Sequence, residues 1–492
     1  MSEKSTRPTP SPQANPGCLA IFKGLFISKT GRDGQSSQTT NEKENMSDAP
    51  CTNPPAYDSF PLCGQEMSEQ LFANARLAAA QAAGIRLTEL WEQDEFAKTV
   101  HEAIERVSTE LRHISLKLHE NPELGYEEFK AHSLLTNYLE RKGFEVQQHA
   151  YGLETAFVAR SGNSDRVTIG ICSEYDALPG IGHACGHNLI AISGVATAIA
   201  LKAVIEQFDL QAEVKLFGTP AEETSGGKIT MLDNGAFEGV DVCMMLHGAN
   251  ADVVYPAFLS LETCEVEFFG KASHASASPW EGINALDAAV LAYTNIGLMR
   301  QQMKPTQRVH GIIKDGGKAA NIIPDYTKSV YTVRAPKYVE VEILKGRVEK
   351  IFKGAAASTG CSVQIKWGAP YKDILTNDPL AEKFEHYMNA QGLHYSSKAE
   401  QQSKLSGSTD MGNLTYAIPG IHPMFNILNL AGHDDLTMGL HTIKFAAAAA
   451  TPLAHLATLR AAKGLAMAGV ECILDADLLK EIKKRFQEDR GL

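Results

Sequence analysis

The spacing of hydrophobic and polar positions changes several times along the chain. Over 69–83 and 96–119 apolar residues recur every three or four positions, as at Val107, Leu111, Ile114 and Leu118, a period that predicts helices. Asn121-Pro122 ends the second of these, and a third helix is predicted over 126–142, stopping at Gly143. Then the rhythm changes. Residues 166–172 are β-branched and apolar, 188–207 read as a long apolar helix, 213–217 alternate, and 240–246 form a continuous apolar run. Strands separated by helices, reading as unbroken apolar runs, predict an α/β domain with a mixed, mainly parallel sheet flanked by helices.

From 259 to 370 the order is different: strand (263–269), helix (282–303), strand (308–314), strand (328–334), helix (339–357), strand (362–367). This βαββαβ order predicts a ferredoxin-like α+β sandwich. Because helix- and strand-bearing chain resumes at about 376, the small domain reads as an insertion at 259–370 between 67–258 and 371–492. Residues 1–66 hold eight of the 21 prolines and no sustained hydrophobic period, so they read as a disordered extension. No internal repeat is visible.

Composition narrows the function. Lys and Arg number 46 against 58 Asp and Glu, a formal charge of −12, which disfavours nucleic acid as a partner. The apolar stretch at 18–27 is too short to cross a bilayer and is interrupted by Lys23, so no membrane partner is expected. Nine irregularly spaced cysteines read as reduced thiols, which points to the cytoplasm. The basic, acid-poor start also admits a mitochondrial presequence.

Candidate chemistry collects where the strands end. Glu174 and Asp176 follow the first, Glu222 and Glu223 the next, and His247 the third. In open α/β sheets this is where ligands bind. The loop Gly180-Ile-Gly-His-Ala-Cys-Gly-His-Asn188 adds His183, Cys185 and His187. Imidazole, thiolate and carboxylate together suit Zn²⁺ or a related divalent ion. The glycines imply a loop up to about Asn188, in which Cys185 and His187 form the more natural chelating pair. Neighbouring side chains of an extended Glu222-Glu223 point oppositely, so one can bind metal while the other faces a water. Singly, each of these groups is more often a solvated surface residue. A dinucleotide-binding oxidoreductase is a competing reading, since Gly180-x-Gly182-x-x-x-Gly186 follows a strand and opens a helix. The acid it needs should lie about 20 residues on, whereas Glu222 lies 222 − 186 = 36 beyond Gly186.

Five ordered motifs resemble the M20 metallopeptidases, in their amidohydrolase branch. They are Leu118-His-Glu-Asn-Pro-Glu-Leu-Gly-Tyr-Glu-Glu128, the segment 174–188, Thr219-Pro-Ala-Glu-Glu223, Gly270-Lys-Ala-Ser-His274 and Asn321-Ile-Ile-Pro-Asp325. Glu174-Tyr-Asp176, Asn188, Ser408-Thr-Asp-Met-Gly-Asn413 and Ile421-His-Pro423 resemble the group that includes Xaa-Arg and β-alanyl-lysine dipeptidases and aminobenzoyl-glutamate hydrolases. The resemblance implies Cys185, His187, Glu223, His247 and His441 as metal ligands, with His433 the alternative to His441. It implies Glu222 as general base, Asp176 and His274 as further catalytic residues, and Asn321 and Arg334 as substrate-holding residues. His274 would reach a partner subunit's site to hold the oxyanion. Two divalent ions per subunit, Zn or Mn, and a homodimer formed through the inserted domain are implied as well. The expected substrate is a small molecule, a dipeptide with a basic C-terminal residue, with N-acyl amino acids or aminobenzoyl-glutamate as the alternative. A catalytically silent metal-binding protein is the reading from another class. Two positions depart from the branch: Glu174-x-Asp176 stands where many members have Asp-x-Asp, and Asn188 where they have Asp.

Overall fold

The computed structural model describes residues 94–163, 166–404, 407–428 and 438–491. The extension 1–66, the helix expected at 69–83 and His433 lie outside the described residues.

Helix α1 (Glu95–Glu120) starts where the Asp94 carboxylate accepts from the Phe96 and Ala97 amides, satisfying two donors that have no partner within the helix. Helix α2 (Phe129–Arg141) begins three residues later than its apolar period suggests, because Tyr126 is left-handed, at φ +68°, and Glu128 is non-helical. Strands β1 (Glu145–Gln148), β2 (Phe157–Gly162) and β3 (Thr168–Glu174) precede α3 (His187–Gln207). Then come β4 (Glu213–Thr219), α4 (Gly227–Asp233), β5 (Val242–Met244) and β6 (His247–Ala249). The run expected as a strand over 240–246 is therefore a strand only at Val242–Met244, and β6 begins just beyond it. A second group comprises β7 (Ser260–Phe269), α5 (Ala285–Met299), β8 (Arg308–Asp315), β9 (Tyr326–Ala335), α6 (Tyr338–Thr359) and β10 (Ser362–Trp367). The chain closes with α7 (Asp378–Asn389), α8 (Lys398–Ser403), α9 (Met411–Ala417), β11 (Gly420–Ile421), β12 (Met424–Asn426), α10 (Ile443–Ala449), α11 (Pro452–Leu474) and α12 (Ala476–Asp489).

The main sheet has the order β1-β2-β4-β3-β5-β11. β4, β3, β5 and β11 pair in parallel, whereas β1 and β2 are antiparallel additions at one edge. Every residue of β3 is buried, as a strand covered on both faces requires. Helix α3 lies against it, and a Cβ added at Gly194 would sit 2.1 Å from the Ser173 hydroxyl oxygen, so the helix approaches β3 very closely. Among the described residues α3 is the one helix long and apolar enough to cross a bilayer, but most of it is buried against α1, α11 and the sheet.

The second sheet, β10-β7-β9-β8, is wholly antiparallel. β7 and β9 alternate buried and half-buried residues, so one face carries the core formed with α5 and α6 by Val266, Phe268, Val333, Val348 and Phe352. This is the split βαβ arrangement of a ferredoxin-like sandwich. The helix expected over 282–303 is trimmed to α5, with single 3₁₀ turns at Pro279–Glu281 and Arg300–Gln302.

Candidate metal centre and substrate cavity

The loop between β3 and α3 turns sharply at Gly186, whose φ of +81° is the left-handed value that glycine adopts without steric cost. The turn sets Cys185 just outside the helix and His187 at its first residue, one position earlier than the glycines suggest. Asp176 then fixes the ring of His187: its Oδ1 lies 3.0 Å from Nδ1, which leaves Nε2 pointing away from Asp176. His247 is fixed in the same manner, Nδ1 donating to the Gly248 carbonyl at 2.7 Å. In both rings one nitrogen is engaged and the other is offered to a ligand, the usual support for a metal-binding imidazole.

After β4 the chain makes a tight turn at Pro220–Thr224. Its peptides are gripped from three sides. The Ala221 N–H donates to Glu128 Oε1 at 2.8 Å, the Glu223 N–H to Asp176 Oδ2 at 3.0 Å, and the Tyr371 hydroxyl donates to the Glu222 carbonyl at 2.7 Å. Ala221 is left-handed at φ +58°, and this kink turns Glu222 and Glu223 toward His187, whose Nε2 lies 4.0 Å from Glu222 Oε2 and 3.9 Å from Glu223 Oε1.

Four groups of possible ligand atoms result, and two of them share Cys185 Sγ; the other two, His187 with Glu222 and Glu223, and Glu174 with Glu222 and Asp410, both include Glu222. Cys185, His187 and His247 present donor atoms within 4.8 Å of one another, and so do Cys185, Glu223 and His441. Cys185 Sγ is 3.6 Å from His247 Nε2, and His441 Nε2 is 3.3 Å from Glu223 Oε1. His441 is held in a left-handed conformation, φ +61°, with its amide donating to the Ala184 carbonyl. His187 Nε2, Glu223 Oε1 and Glu174 Oε2 are buried without a well-formed hydrogen bond: Glu174 Oε2 is 3.5 Å from His187 Nε2 and Glu223 Oε1 is 3.3 Å from His441 Nε2. Buried polar atoms without partners are costly, and a soft thiol, imidazoles and a carboxylate converging on them fit a divalent cation.

Electrostatics follow the packing. Burial pushes the Cys185 thiol well above its usual range, and burial together with Glu174, Glu223 and Asp410 does the same to the Glu222 carboxyl. Burial opposes the charged form of His187, yet Asp176 and Cys185 outweigh it and hold the ring well above an ordinary histidine. Lys228 is fully buried, with Nζ 2.5 Å from Glu174 Oε1 and 2.6 Å from Asp410 Oδ1.

A cavity of about 860 Å³ opens over these groups; Cys185, Glu222, Glu223, His247 and His441 form its floor, and Arg334, Tyr371, Asp252 and Lys404 lie on its walls. The Arg334 guanidinium points to Ser408 Oγ at 3.2 Å and to His310 Nε2 at 3.2 Å. His274 and Asn321 are exposed and do not line the cavity of their own chain. They are neighbours, His274 and Ile322 forming a β-bridge. His183 is buried beside His119, its pKa lowered to about 3 by burial and by the neighbouring His187 and His119 charges, outside the ligand groups. The glycine loop that could have cradled a dinucleotide instead delivers Cys185 and His187.

Four residues at this site were not singled out from the sequence. Asp410 lies inside Ser408-Thr-Asp-Met-Gly-Asn413 and Glu128 ends the first motif, so both had a signal. Lys228 and Tyr371 had none, since only the folded chain brings them to Glu174 and Glu222.

Residues 170–455 match the model of the family described as Peptidase family M20/M25/M40. The chain is 43% identical over 404 residues to the Xaa-Arg dipeptidase of Mus musculus, spanning 80% of this chain and 91% of that one. It is 27% identical over 465 residues to a polypeptide of the p-aminobenzoyl-glutamate hydrolase of Escherichia coli, spanning 80% and 95%. Among solved structures, a dinuclear metal binding peptidase from M20 family of Bacillus subtilis is alike in fold, with a TM-score of 0.51 at 21% identity over 73% of this chain and 98% of that one.

Proposed function

This chain belongs to peptidase family M20/M25/M40, and on that premise we propose that it is a metal-dependent hydrolase of dipeptides with a basic C-terminal residue. The observation that carries the reading is the pair of ligand groups sharing Cys185, with Glu222 beside them at the floor of a cavity that also holds Arg334. The ligands are Cys185, His187, His247, Glu223 and His441. Two ions suit the charge: Glu174, Asp176, Glu222, Glu223 and Asp410 can carry up to five negative charges against Lys228 and the proton of His187, which the ring gives up on binding a cation. Such an excess is tolerated only when compensated.

Divalent ions held by these residues would lower the pKa of a water and polarise an amide carbonyl. Glu222 is placed to take a proton from the attacking water and to deliver it to the departing amine. Asp176 holds the His187 tautomer and the Glu223 amide. Arg334 grips the substrate's C-terminal carboxylate in two hydrogen bonds. Mouse Xaa-Arg dipeptidase, at 43% identity, supports a basic C-terminal side chain. Lys404 on the cavity wall favours a second reading, an acidic C-terminal residue as in aminobenzoyl-glutamate.

We assign the active form to a homodimer. β8 is an edge strand, and Val290, Tyr293 and Leu298 of α5 and Ile312 of β8 are exposed. In such a dimer His274 and Asn321, exposed and away from their own cavity, act on the partner's substrate. A thiol ligand requires a reducing compartment, which supports the cytoplasm.

Release of free Lys or Arg from Xaa-Lys and Xaa-Arg dipeptides, beside aminobenzoyl-glutamate and N-acyl amino acids, tests the substrate. Activity should vanish on chelation and return with Zn²⁺ or Mn²⁺. Glu222→Gln should keep its metal by elemental analysis and lose about 10²- to 10⁴-fold in kcat. Turnover that survives complete metal removal sinks the reading.

A further inference from the structure

The first of the five motifs, Leu118 to Glu128, takes no part in the reaction as described. In the folded chain it is packed against the turn that carries Glu222 and Glu223. The Glu128 side chain is fully buried and its two oxygens have separate tasks. Oε1 accepts from the Ala221 amide at 2.8 Å, and Oε2 accepts from the Thr155 hydroxyl at 2.8 Å. Ala221 is the left-handed residue immediately before Glu222, a conformation that an alanine rarely adopts unless its surroundings impose it. Its carbonyl accepts from the amides of both Ser225 and Gly226, so the orientation of this residue sets the whole turn. Gly125 closes the other side. A Cβ there would lie 2.4 Å from Thr224 Oγ1 and 3.0 Å from Ala221 Cα, so the motif fits the turn with no space left between them.

We infer that Glu128 is a positioning residue of the hydrolytic site: by holding the Ala221 amide, with Gly125 as the wall behind it, it fixes the left-handed turn that aims Glu222 at the reacting water and Glu223 at the ligand group. The inference rests on the reading of Glu222 as general base. Asp176 and Tyr371 hold the Glu222–Glu223 peptide by its N–H and its carbonyl, whereas Glu128 holds the amide of Ala221, whose kink decides where both glutamates point.

The test uses the full chain, with metal content equalised by elemental analysis, and follows dipeptide hydrolysis together with backbone hydrogen exchange of the 219–226 segment in the metal-free protein. Glu128→Ala should lower kcat by about 100-fold with KM nearly unchanged, since misplacing a catalytic group by about 1 Å has that effect. The same variant should speed exchange at 219–226 while α1 and α11 exchange as before. Glu128→Gln, whose amide oxygen still accepts from Ala221, should recover most of kcat. Ala221→Gly in the Glu128→Ala background should recover part of it, because glycine adopts the left-handed turn unaided. That pattern is not the one a packing defect leaves. Folded Glu128→Ala with parental kcat, or faster exchange spread evenly over the molecule with kcat per folded chain intact, overturns the inference. Should Glu128→Ala fail to fold, Gly125→Ala decides, being expected to lower kcat by pressing on Thr224 and Ala221; parental kcat in that variant overturns the inference as well. If Glu222→Gln remains fully active the base assignment fails by itself, and the exchange measurement still decides whether Glu128 holds Ala221.

Discussion

At single residues, the folded chain sorts its buried polar atoms by whether protein groups can satisfy them. A left-handed alanine costs roughly 1–2 kcal/mol; burial pushes the Glu128 carboxyl up to about 7, so the bond it accepts from Ala221 contributes about 0.5–1.5 kcal/mol while the carboxyl is protonated and about 1.5–3 kcal/mol once it ionises, comparable with the cost of the kink. Asp176 serves His187 and Glu223 together, and Asp176→Ala should weaken metal binding about 10- to 100-fold, measured by competition with a chelator; unchanged affinity would remove it from the support of the ligands. His132 illustrates a purely structural histidine. It is 2% exposed, packs beside His149 and Phe157, and its pKa is lowered by burial and then by the His149 charge. A proton therefore binds the unfolded chain more readily, and stability is lost as pH falls from about 6.5 toward the lowered value. His132→Phe should make the melting temperature less sensitive to acid between pH 7 and 5.5, which thermal scans of both proteins would reveal. Legibility at this scale followed covalent neighbourhood. Cys185, His187, Glu222 and Glu223 sit in short motifs whose spacing carries the chemistry. Lys228 stands in no motif that carries chemistry, and the two acids that surround it lie 54 residues before it and 182 after it.

At the level of elements, the sequence was most informative where an element is long and one-sided. α1 and the alternating strands β7 and β9 show their periods plainly, because each has one buried face and one wetter face. β5 and β6 have three residues each and are buried throughout, so the apolar run that contains β5 shows no sign of the break between them. β1 is mostly exposed and owes its strand form to pairing with β2, a tertiary effect invisible to a local pattern. α3 carries a prediction of its own. At Gly194 an added Cβ would meet Ser173 Oγ at 2.1 Å and the Cys172 carbonyl oxygen at 3.0 Å. The hydroxyl can rotate away, but the carbonyl belongs to the central strand and cannot. Gly194→Ala should therefore destabilise the protein by about 1–3 kcal/mol through overpacking, read as a lower denaturant midpoint, even though alanine is the better helix former. A raised midpoint would mean that helix and strand separate more easily than their packing suggests. Because His187 opens the same helix, some loss of metal affinity should accompany the loss of stability.

Across the whole molecule, the proposed ligands come from the β3–α3 loop and the first residue of α3, the turn after β4, the start of β6 and the segment before α10, so they meet only when distant parts of the chain are assembled. The order of elements and the ferredoxin-like insertion were legible because βαββαβ is a distinctive string. The wall of the cavity was not, since Tyr371, Asp252 and Lys404 reach it through the fold alone. Assembly also ties metal to stability. Without cations, Glu174, Asp176, Glu222, Glu223 and Asp410 face one another with Lys228 and the protonated ring of His187 as counter-charges, and burial raises the cost of each unpaired ion. A cation that binds the folded chain and not the unfolded one adds RT ln(1 + [L]/Kd), about 2.7 kcal/mol at a hundredfold excess over Kd. Stripping the metal should accordingly lower the melting temperature by several degrees, and titrating Zn²⁺ or Mn²⁺ back should restore it in step with activity. Glu222→Gln is the informative companion, since it removes one of the competing charges and leaves the five ligands intact. Its metal-free form should melt higher than the metal-free parent, while its loaded form gains less from the ion. If both proteins melt alike with and without metal, the carboxylates are neutralised by some other means, and the argument from charge for two ions fails.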